Sequence, residues 1–173
     1  RQEFDCVVLR EEEFTEELSW NAFVFNNCFD KVGRPIFWLR WGKWFPQANT
    51  ERQMVRFFCF MVDKITANMP AHVDQYMMVY DFDGCGYSNF SKSHATTLMP
   101  FLQTVFCDRQ YCTCIIRLPW VVNTLKSVVM PFIHPRTAAK FRIFGSDWKE
   151  KLKELVTDDN LPEMYGGSRE NNN

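Results

Sequence analysis

The sequence of 173 residues lacks any apolar run long enough to cross a membrane. Its longest apolar stretches, such as residues 57 to 62, are far shorter than the roughly 20 residues that a spanning helix needs. It also lacks a charge excess, since 20 Lys and Arg stand against 21 Asp and Glu and the two signs are interspersed. A surface that binds nucleic acid is usually strongly basic, so we predict no nucleic-acid partner. We also expect no signal peptide.

Several signatures of metal sites and of catalysis are missing as well. The seven cysteines form no CxxC pair and several fall within apolar runs, which predicts free buried thiols in a reducing compartment. Cys107, Cys112 and Cys114 cluster, but no fourth ligand stands at a spacing that suits zinc, so we predict no metal site. The sequence contains no glycine-rich phosphate loop and no GxSxG motif. Cys112 and Arg117 are one residue too close for a cysteine-phosphatase loop.

Aromatic side chains and methionine are plentiful, with 17 Phe and 8 Met. This abundance fits a well-packed core, and it equally fits a pocket whose soft side chains admit a flexible apolar ligand. Residues 118 to 140 favour the pocket. An almost wholly apolar helix over residues 120 to 133 must be buried or must meet an apolar ligand. Thr137 and Lys140 follow it directly, which predicts an apolar cavity with a charged mouth.

Strand-like and helix-like segments alternate along the chain. Apolar strands are predicted over residues 36–41, 76–82, 113–118 and 140–144. Helices are predicted from the capping box at Thr50 to about Asn68, over 91–106, over 120–133, and after Asp147. Pro100 either kinks the second of these helices or marks its true start. This alternation is typical of βαβ units, so the prediction is one α/β domain with a mostly parallel sheet.

The segment Asp81-Phe82-Asp83-Gly84 allows two interpretations. It resembles the first motif of haloacid-dehalogenase-type phosphatases, in which the first Asp attacks phosphate and the second acts as acid and base beside magnesium. However, Cys85 follows where Thr or Val is usual, and the later pair Asp158-Asp159 follows a helix rather than a strand. The alternative is a turn at the end of a strand, in which Asp caps backbone N–H groups and Gly is left-handed. The sequence favours the turn.

From residue 29 to residue 167 the chain resembles a CRAL-TRIO domain of the phosphatidylinositol-transfer type. The segments that carry the resemblance occur in the family's order: 30–35 (DKVGRP), 79–84 (VYDFDG), 108–109 (DR), 115–119 (IIRLP), 131–140 (PFIHPRTAAK) and 161–167 (LPEMYGG). The resemblance implies an α/β fold, with a mostly parallel sheet flanked by helices and an apolar gate helix over a lipid cavity. It also implies three domain segments: an N-terminal helical remnant over 1–28, the lipid-binding domain over 29–167, and a disordered polar tail over 168–173.

The resemblance further implies site residues. An acid, a Thr and a Lys hold the inositol phosphate in phosphoinositide-binding members, and the matching residues here are Asp108, Thr137 and Lys140. The expected cavity wall is Phe37, Leu39, Trp41, Tyr76 and Met78. The expected gate helix carries Trp120, Val121, Leu125, Val128, Val129 and Phe132. Tyr76 and Met78 stand where members that carry phosphatidylcholine have small hydroxyl residues, so that lipid is not expected in its usual mode.

The implied function is binding and transfer, or presentation, of a phospholipid, with phosphatidylinositol expected first. We expect no enzymatic activity and no cofactor, a transient membrane surface as partner, and a cytoplasmic, peripherally membrane-associated protein. One alternative is a lipid-sensing regulatory domain of a longer protein, with a protein partner and a sterol, retinoid or tocopherol-like ligand. A more distant alternative is a magnesium-dependent phosphatase that uses Asp81 and Asp83.

Overall fold

The computed structural model describes residues 2–24, 27–105, 108–119, 131 and 133–171. Within them, five strands form one sheet in the order of the chain. The strands are β1 Phe23–Val24, β2 Ile36–Arg40, β3 Tyr76–Asp81, β4 Gln110–Ile116 and β5 Phe141–Ile143. β2 to β5 run parallel, and β1 pairs antiparallel with β2 at one edge. The prediction of a mostly parallel α/β sheet is therefore confirmed, whereas β1 was not predicted.

Three of the predicted helices are present, those after Thr50, after Phe90 and after Asp147, whereas most of the predicted helix over 120–133 lies outside the described residues. The described helices are α1 Thr15–Ser19, α2 Glu51–Ala67, α3 Lys92–Val105, the single turn α4 Pro135–Ala138, and α5 Trp148–Leu155. Thr50 caps α2, because its side chain accepts a hydrogen bond from the backbone N–H of Gln53 at 3.2 Å. α3 begins at Lys92, so Pro100 lies inside this helix and does not mark its start. No helix among the described residues is long and apolar enough to span a membrane.

Alternation along the strands separates two apolar clusters on the two faces of the sheet. On β3, Tyr76 and Met78 belong to the cluster with the buried residues of α2, while Met77 and Val79 belong to the cluster with Leu152 of α5. The six described cysteines are buried, as their apolar surroundings predicted, and no disulfide joins any two of them.

The turn before β2 forms around Asp30. Its Oδ1 accepts hydrogen bonds from the backbone N–H groups of Val32 and Arg34 at 2.9 and 2.8 Å. Gly33 has a φ of 89°, the left-handed conformation that glycine adopts without steric cost.

Both predicted flanking segments contact the domain. β1 extends the sheet from within the predicted N-terminal segment. Ser168 and Arg169, which were predicted to start a disordered tail, donate backbone hydrogen bonds to the carbonyl oxygens of Asp158 and Leu161 at 2.8 and 3.1 Å. Ordered contacts therefore continue past the predicted boundary at residue 167, and the division into segments stays a prediction.

Candidate functional site

A cleft of about 700 Å³ lies on the sheet face that α2 and α3 cover. Its floor is formed by the alternate residues of β3 that point to this face, with Gln110 and Phe141 of the neighbouring strands. Its walls come from α2, from the C-terminal half of α3, and from the segment that contains α4. The remaining lining residues are Phe58, Val62, Met99, Pro100, Gln103, Thr104, Asp108, Pro131, Ile133, His134, Pro135, Arg136, Thr137 and Lys140.

The three residues predicted to hold a headgroup line this one cleft. Thr137 lies in α4, Lys140 directly precedes β5, and Asp108 precedes β4. The Lys140 ammonium donates a hydrogen bond to the carbonyl oxygen of Gln110 at 2.7 Å, and its nitrogen lies 3.9 Å from the Asp108 carboxylate. The Asp108 side chain is 82% exposed, whereas that of Lys140 is 27% exposed. The ammonium is thus partly sheltered while the carboxylate faces solvent.

The cleft is also lined by polar residues that the sequence analysis did not select, among them Gln103, His134 and Arg136. The Gln103 side chain joins α3 to the segment before α4. Its carbonyl oxygen accepts from the backbone N–H of His134, and its amide donates to the carbonyl of Met99 at 2.9 Å. His134 is exposed, and its Nδ1 accepts from the backbone N–H of Arg136 at 3.2 Å and so caps α4. The sequence signal for the start of α4 was Pro135, because proline favours the first position of a helix.

An apolar pocket of about 170 Å³ adjoins the cleft. The two cavities share Phe58, Tyr80, Met99, Ile133 and Phe141, so they form one continuous depression on one sheet face. The other residues that line the pocket are Trp41, Trp44, Pro46, Phe82, Asn89, Phe90, Ser91, His94, Ala95, Leu98, Ile115, Leu118 and Ile143. The polar groups among them are largely engaged with the protein itself. His94, for instance, contacts Ser91 Oγ at 2.6 Å and the carbonyl oxygen of Asn49 at 3.0 Å.

The predicted cavity wall divides into two sets. Tyr76 and Met78 line the cleft and Trp41 lines the apolar pocket. Phe37 and Leu39 line neither cavity, since both are fully buried in the cluster that contains the inner face of α2. Strand alternation predicted the correct face for these two residues, but α2 fills that part of the face. The predicted gate residues Trp120, Val121, Leu125, Val128, Val129 and Phe132 lie outside the described residues.

Burial raises the pKa values of the two tyrosines on the floor of the cleft, Tyr76 and Tyr80. Desolvation raises the pKa of Tyr76, and the nearby charge of Arg109 offsets a small part of the increase. Desolvation raises the pKa of Tyr80 in the same direction. Both phenols are therefore protonated and neutral at physiological pH, so the floor of the cleft adds no charge to the polar end.

Asp81 occupies a different environment, at the carboxyl end of β3. It is 1% exposed, and its Oδ1 accepts from Arg117 Nε at 2.8 Å and from the Asp83 backbone N–H at 3.0 Å. Its Oδ2 accepts from the Tyr165 hydroxyl at 3.0 Å and from Arg117 Nη2. Gly84 has a φ of 67°. The segment therefore forms the structural turn that the sequence favoured, with both carboxylate oxygens occupied by the protein.

The described residues contain no group of three His, Cys, Asp or Glu side chains that could hold a metal ion. Cys112 and Cys114 of β4 are among these residues, whereas Cys107 lies outside the described residues.

A comparison with protein-family models identifies the class of this domain. Residues 20–167 match the model of the CRAL/TRIO domain, so the chain belongs to the CRAL/TRIO domain family. Among curated proteins, the chain is similar to two phosphatidylinositol/phosphatidylcholine transfer proteins of Arabidopsis thaliana, SFH4 and SFH12. It is 29% and 30% identical to them over 157 residues, which cover 80% of this chain. The chain spans only 25% and 28% of the length of these relatives.

Among solved structures, the crystal structure of Sfh5 superimposes with a TM-score of 0.75 over 100% of this chain and 63% of that chain. The sequence identity is 20%, so this likeness supports the fold.

Proposed function

We propose that this domain binds a phospholipid, phosphatidylinositol in particular, and exchanges it at membranes through the predicted gate helix over residues 120 to 133. The observation that carries the proposal is the convergence of Asp108, Thr137 and Lys140 at one end of a cleft that continues into an apolar pocket. The polar end suits a headgroup and the apolar end suits acyl chains. The printed names of the Arabidopsis relatives, which are phosphatidylinositol/phosphatidylcholine transfer proteins, agree with this assignment.

Burial of the acyl chains makes transfer possible. Moving roughly thirty methylene groups into water costs on the order of 24 kcal/mol, at about 0.8 kcal/mol for each group. An apolar cavity removes most of that cost because one apolar environment replaces another. The same argument holds for any lipid with similar chains, so the tails contribute little discrimination among headgroups.

The polar end of the cleft must therefore distinguish one lipid headgroup from another. Lys140 now donates to a neutral carbonyl oxygen, and a phosphate oxygen in its place would form a stronger, charge-assisted bond. Arg136 lines the same cleft and adds a second cation. Asp108 can accept hydrogen bonds from inositol hydroxyls. Tyr76 and Met78 bring no small hydroxyl group to the cleft floor, which favours phosphatidylinositol over phosphatidylcholine.

The phosphatase interpretation receives no support from the geometry. A nucleophilic carboxylate must present a free oxygen to the phosphorus atom. Both oxygens of Asp81 instead accept hydrogen bonds from Arg117, Tyr165 and the Asp83 backbone, beneath the surface of the protein.

Native mass spectrometry of the purified domain, followed by solvent extraction and identification of the bound molecule, tests the proposal. Co-purified phosphatidylinositol that also moves between labelled vesicles is the expected result. Bound phosphatidylinositol without transfer would favour the lipid-sensing alternative over a carrier. A sterol, retinoid or other neutral molecule in the cavity would overturn the headgroup assignment.

A further inference from the structure

The cleft and the apolar pocket lie toward opposite edges of the sheet. Two polar residues of the cleft, Gln110 and Lys140, stand at the amino ends of β4 and β5. The pocket is lined by residues at or just beyond the carboxyl ends of the four parallel strands, namely Trp41, Phe82, Leu118 and Ile143. Parallel strands have their carboxyl ends at one edge of the sheet. The depression therefore runs along the strands, from a polar end to an apolar end at the carboxyl edge.

Large apolar side chains are exposed around this apolar end. Phe45, which follows β2, is 47% exposed, and its chain neighbours Trp44 and Pro46 both line the pocket. Tyr87, which follows β3, is 67% exposed. Ile143 ends β5, lines the pocket and is 51% exposed. Single exposed apolar residues are common, but several of them around one apolar pocket indicate a contact surface.

The two segments that carry the exposed aromatic side chains, residues 41–47 and 82–91, are bonded to each other. The side-chain amide of Asn89 donates to the carbonyl oxygen of Trp44 at 2.8 Å. The side-chain amide of Gln47 donates to the carbonyl oxygen of Phe90 at 3.1 Å. These bonds fix one segment against the other, so little ordering is required when the surface meets a partner.

The charges on this surface favour an anionic partner. Lys43 lies in the first segment and Lys92 directly follows the second, and both are exposed. Within the described part of the chain, neither forms a salt bridge. Asp83 is the acid that lies exposed in these segments, and it pairs with Arg117 at 3.0 Å. Aromatic side chains flanked by lysines suit the interface of a bilayer with anionic headgroups.

We propose that the domain docks on an anionic bilayer through this carboxyl-edge surface, with Phe45 and Tyr87 in the interface. Docking of this kind rests on the proposed function, because a domain that exchanges lipid must place its cavity against a bilayer. It brings the apolar end of the depression to the hydrocarbon, so the acyl chains avoid water during exchange. Both anchoring side chains lie outside the predicted gate helix, so the attachment does not depend on it.

Binding to vesicles of phosphatidylcholine and phosphatidylserine, measured by flotation, tests the proposal. Phe45→Ser combined with Tyr87→Ser should weaken binding by about tenfold or more, because two apolar side chains leave the interface. Val8→Ser combined with Val32→Ser is the matched control. These side chains are 70% and 65% exposed, and Val32 lies in the turn before β2, at the opposite edge of the sheet. The control should bind as the parent does.

Hydrogen exchange of the unaltered protein gives an independent measurement. Vesicles should protect backbone amides in residues 41–47 and 82–91 and leave those of the turn over 30–34 unchanged. Unchanged exchange in the two segments overturns the proposal, as does an equal loss of vesicle binding in the aromatic and control variants. Loss of self-association in place of vesicle binding would also overturn it, because the surface would then be a contact between copies of the chain.

Native mass spectrometry of the same proteins separates this docking surface from the lipid proposal. The aromatic double variant should still hold the phospholipid that the parent holds, although it binds vesicles weakly. A parent protein that holds no phospholipid, but whose vesicle binding depends on Phe45 and Tyr87, would contradict the proposed function and support the docking surface. Bound phospholipid with vesicle binding that does not depend on the two side chains would do the reverse.

Discussion

Lys140 donates a hydrogen bond from its ammonium group to the carbonyl oxygen of Gln110 at 2.7 Å. Gln110 begins β4 and Lys140 directly precedes β5, so the bond spans the two neighbouring strands at the polar end of the cleft. The ammonium is held in position, and the carboxylate with which it pairs, that of Asp108, lies 3.9 Å away and is largely in solvent, which screens its charge. An ammonium group that is already held in position at the polar end of the cleft can bind an anionic ligand.

Lys140→Ala should reduce transfer of phosphatidylinositol between vesicles by well over tenfold. A charge-assisted hydrogen bond in a sheltered site contributes about 1.5–3 kcal/mol, and tenfold in affinity corresponds to about 1.4 kcal/mol. The fold should persist, since only one side-chain bond at the cleft is lost. Transfer of labelled lipid, together with thermal unfolding, measures both effects. Lys151→Ala on α5 is the control and should transfer normally. Normal transfer by Lys140→Ala would contradict the headgroup assignment.

Arg136→Ala should lower phosphatidylinositol transfer less than Lys140→Ala does. Arg136 is exposed at the edge of the cleft, where solvent screens its charge. An exposed ionic contact is worth about 0.2–1 kcal/mol, which predicts a loss of at most about fivefold. The loss should shrink as salt is added, because screening weakens exposed contacts first. A loss that is independent of salt would show that Arg136 acts through the packing of α4 and not through its charge.

Local signals in the sequence predicted the main elements and the polar end of the cleft. The Thr50 capping box places the start of α2, and the position of Lys140 after an apolar helix and a proline suggested a charged mouth. β1 gave no such signal, because two residues are too few for a pattern and their pairing with β2 is a tertiary contact.

Long-range packing accounts for the rest of what sequence reasoning missed. Alternation assigns Phe37 and Leu39 to a face of the sheet, but only the path of α2 decides that they are core and not cavity wall. Arg117 and Asp81 are 36 residues apart and meet because β3 and β4 align side by side. No local pattern in the sequence indicates that pairing.

Asp81→Asn should destabilise the fold by about 3–5 kcal/mol, the usual cost of breaking a buried ion pair by removing one partner. The amide keeps the shape of the side chain, but it leaves Arg117 without its buried counter-ion. Urea unfolding gives the change in free energy.

Asp83→Asn provides the comparison, because Asp83 contacts the same guanidinium group from a side chain that is 67% exposed. Its effect should stay within about 1 kcal/mol. Equal losses in the two variants would contradict the structural role of Asp81.

Gly167→Ala should destabilise the domain by about 3 kcal/mol or more, because the new methyl group cannot be accommodated. A Cβ at this position would lie 1.9 Å from the carbonyl oxygen of Leu161, so the backbone of the loop that carries Tyr165 would have to move. Gly86→Ala is the matched control, since a Cβ there meets no atom within 4 Å. It should change the unfolding free energy by no more than about 0.5 kcal/mol. Equal free energies of unfolding for the two variants in urea would contradict the close approach of the Gly167 and Leu161 backbones.

Tyr76→Phe should make the domain less sensitive to alkaline pH. Burial raises the pKa of Tyr76, so the folded protein keeps this proton at a pH where the unfolded chain releases it. Stability is therefore unaffected by this group below its ordinary pKa of about 10 and falls as the pH rises above that value. Well above pH 10 one such group contributes a slope of about 1.4 kcal/mol per pH unit, and between pH 9 and 11 its removal should lessen the loss of stability by about 1.4 kcal/mol in total. Tyr80 and Tyr165, whose pKa values burial also raises, account for part of the decline that remains.

Urea unfolding of the parent and of Tyr76→Phe between about pH 9 and 11 measures the two slopes. Parallel slopes would mean that the phenol is ionised or solvated in the folded state, which contradicts the burial that raises its pKa.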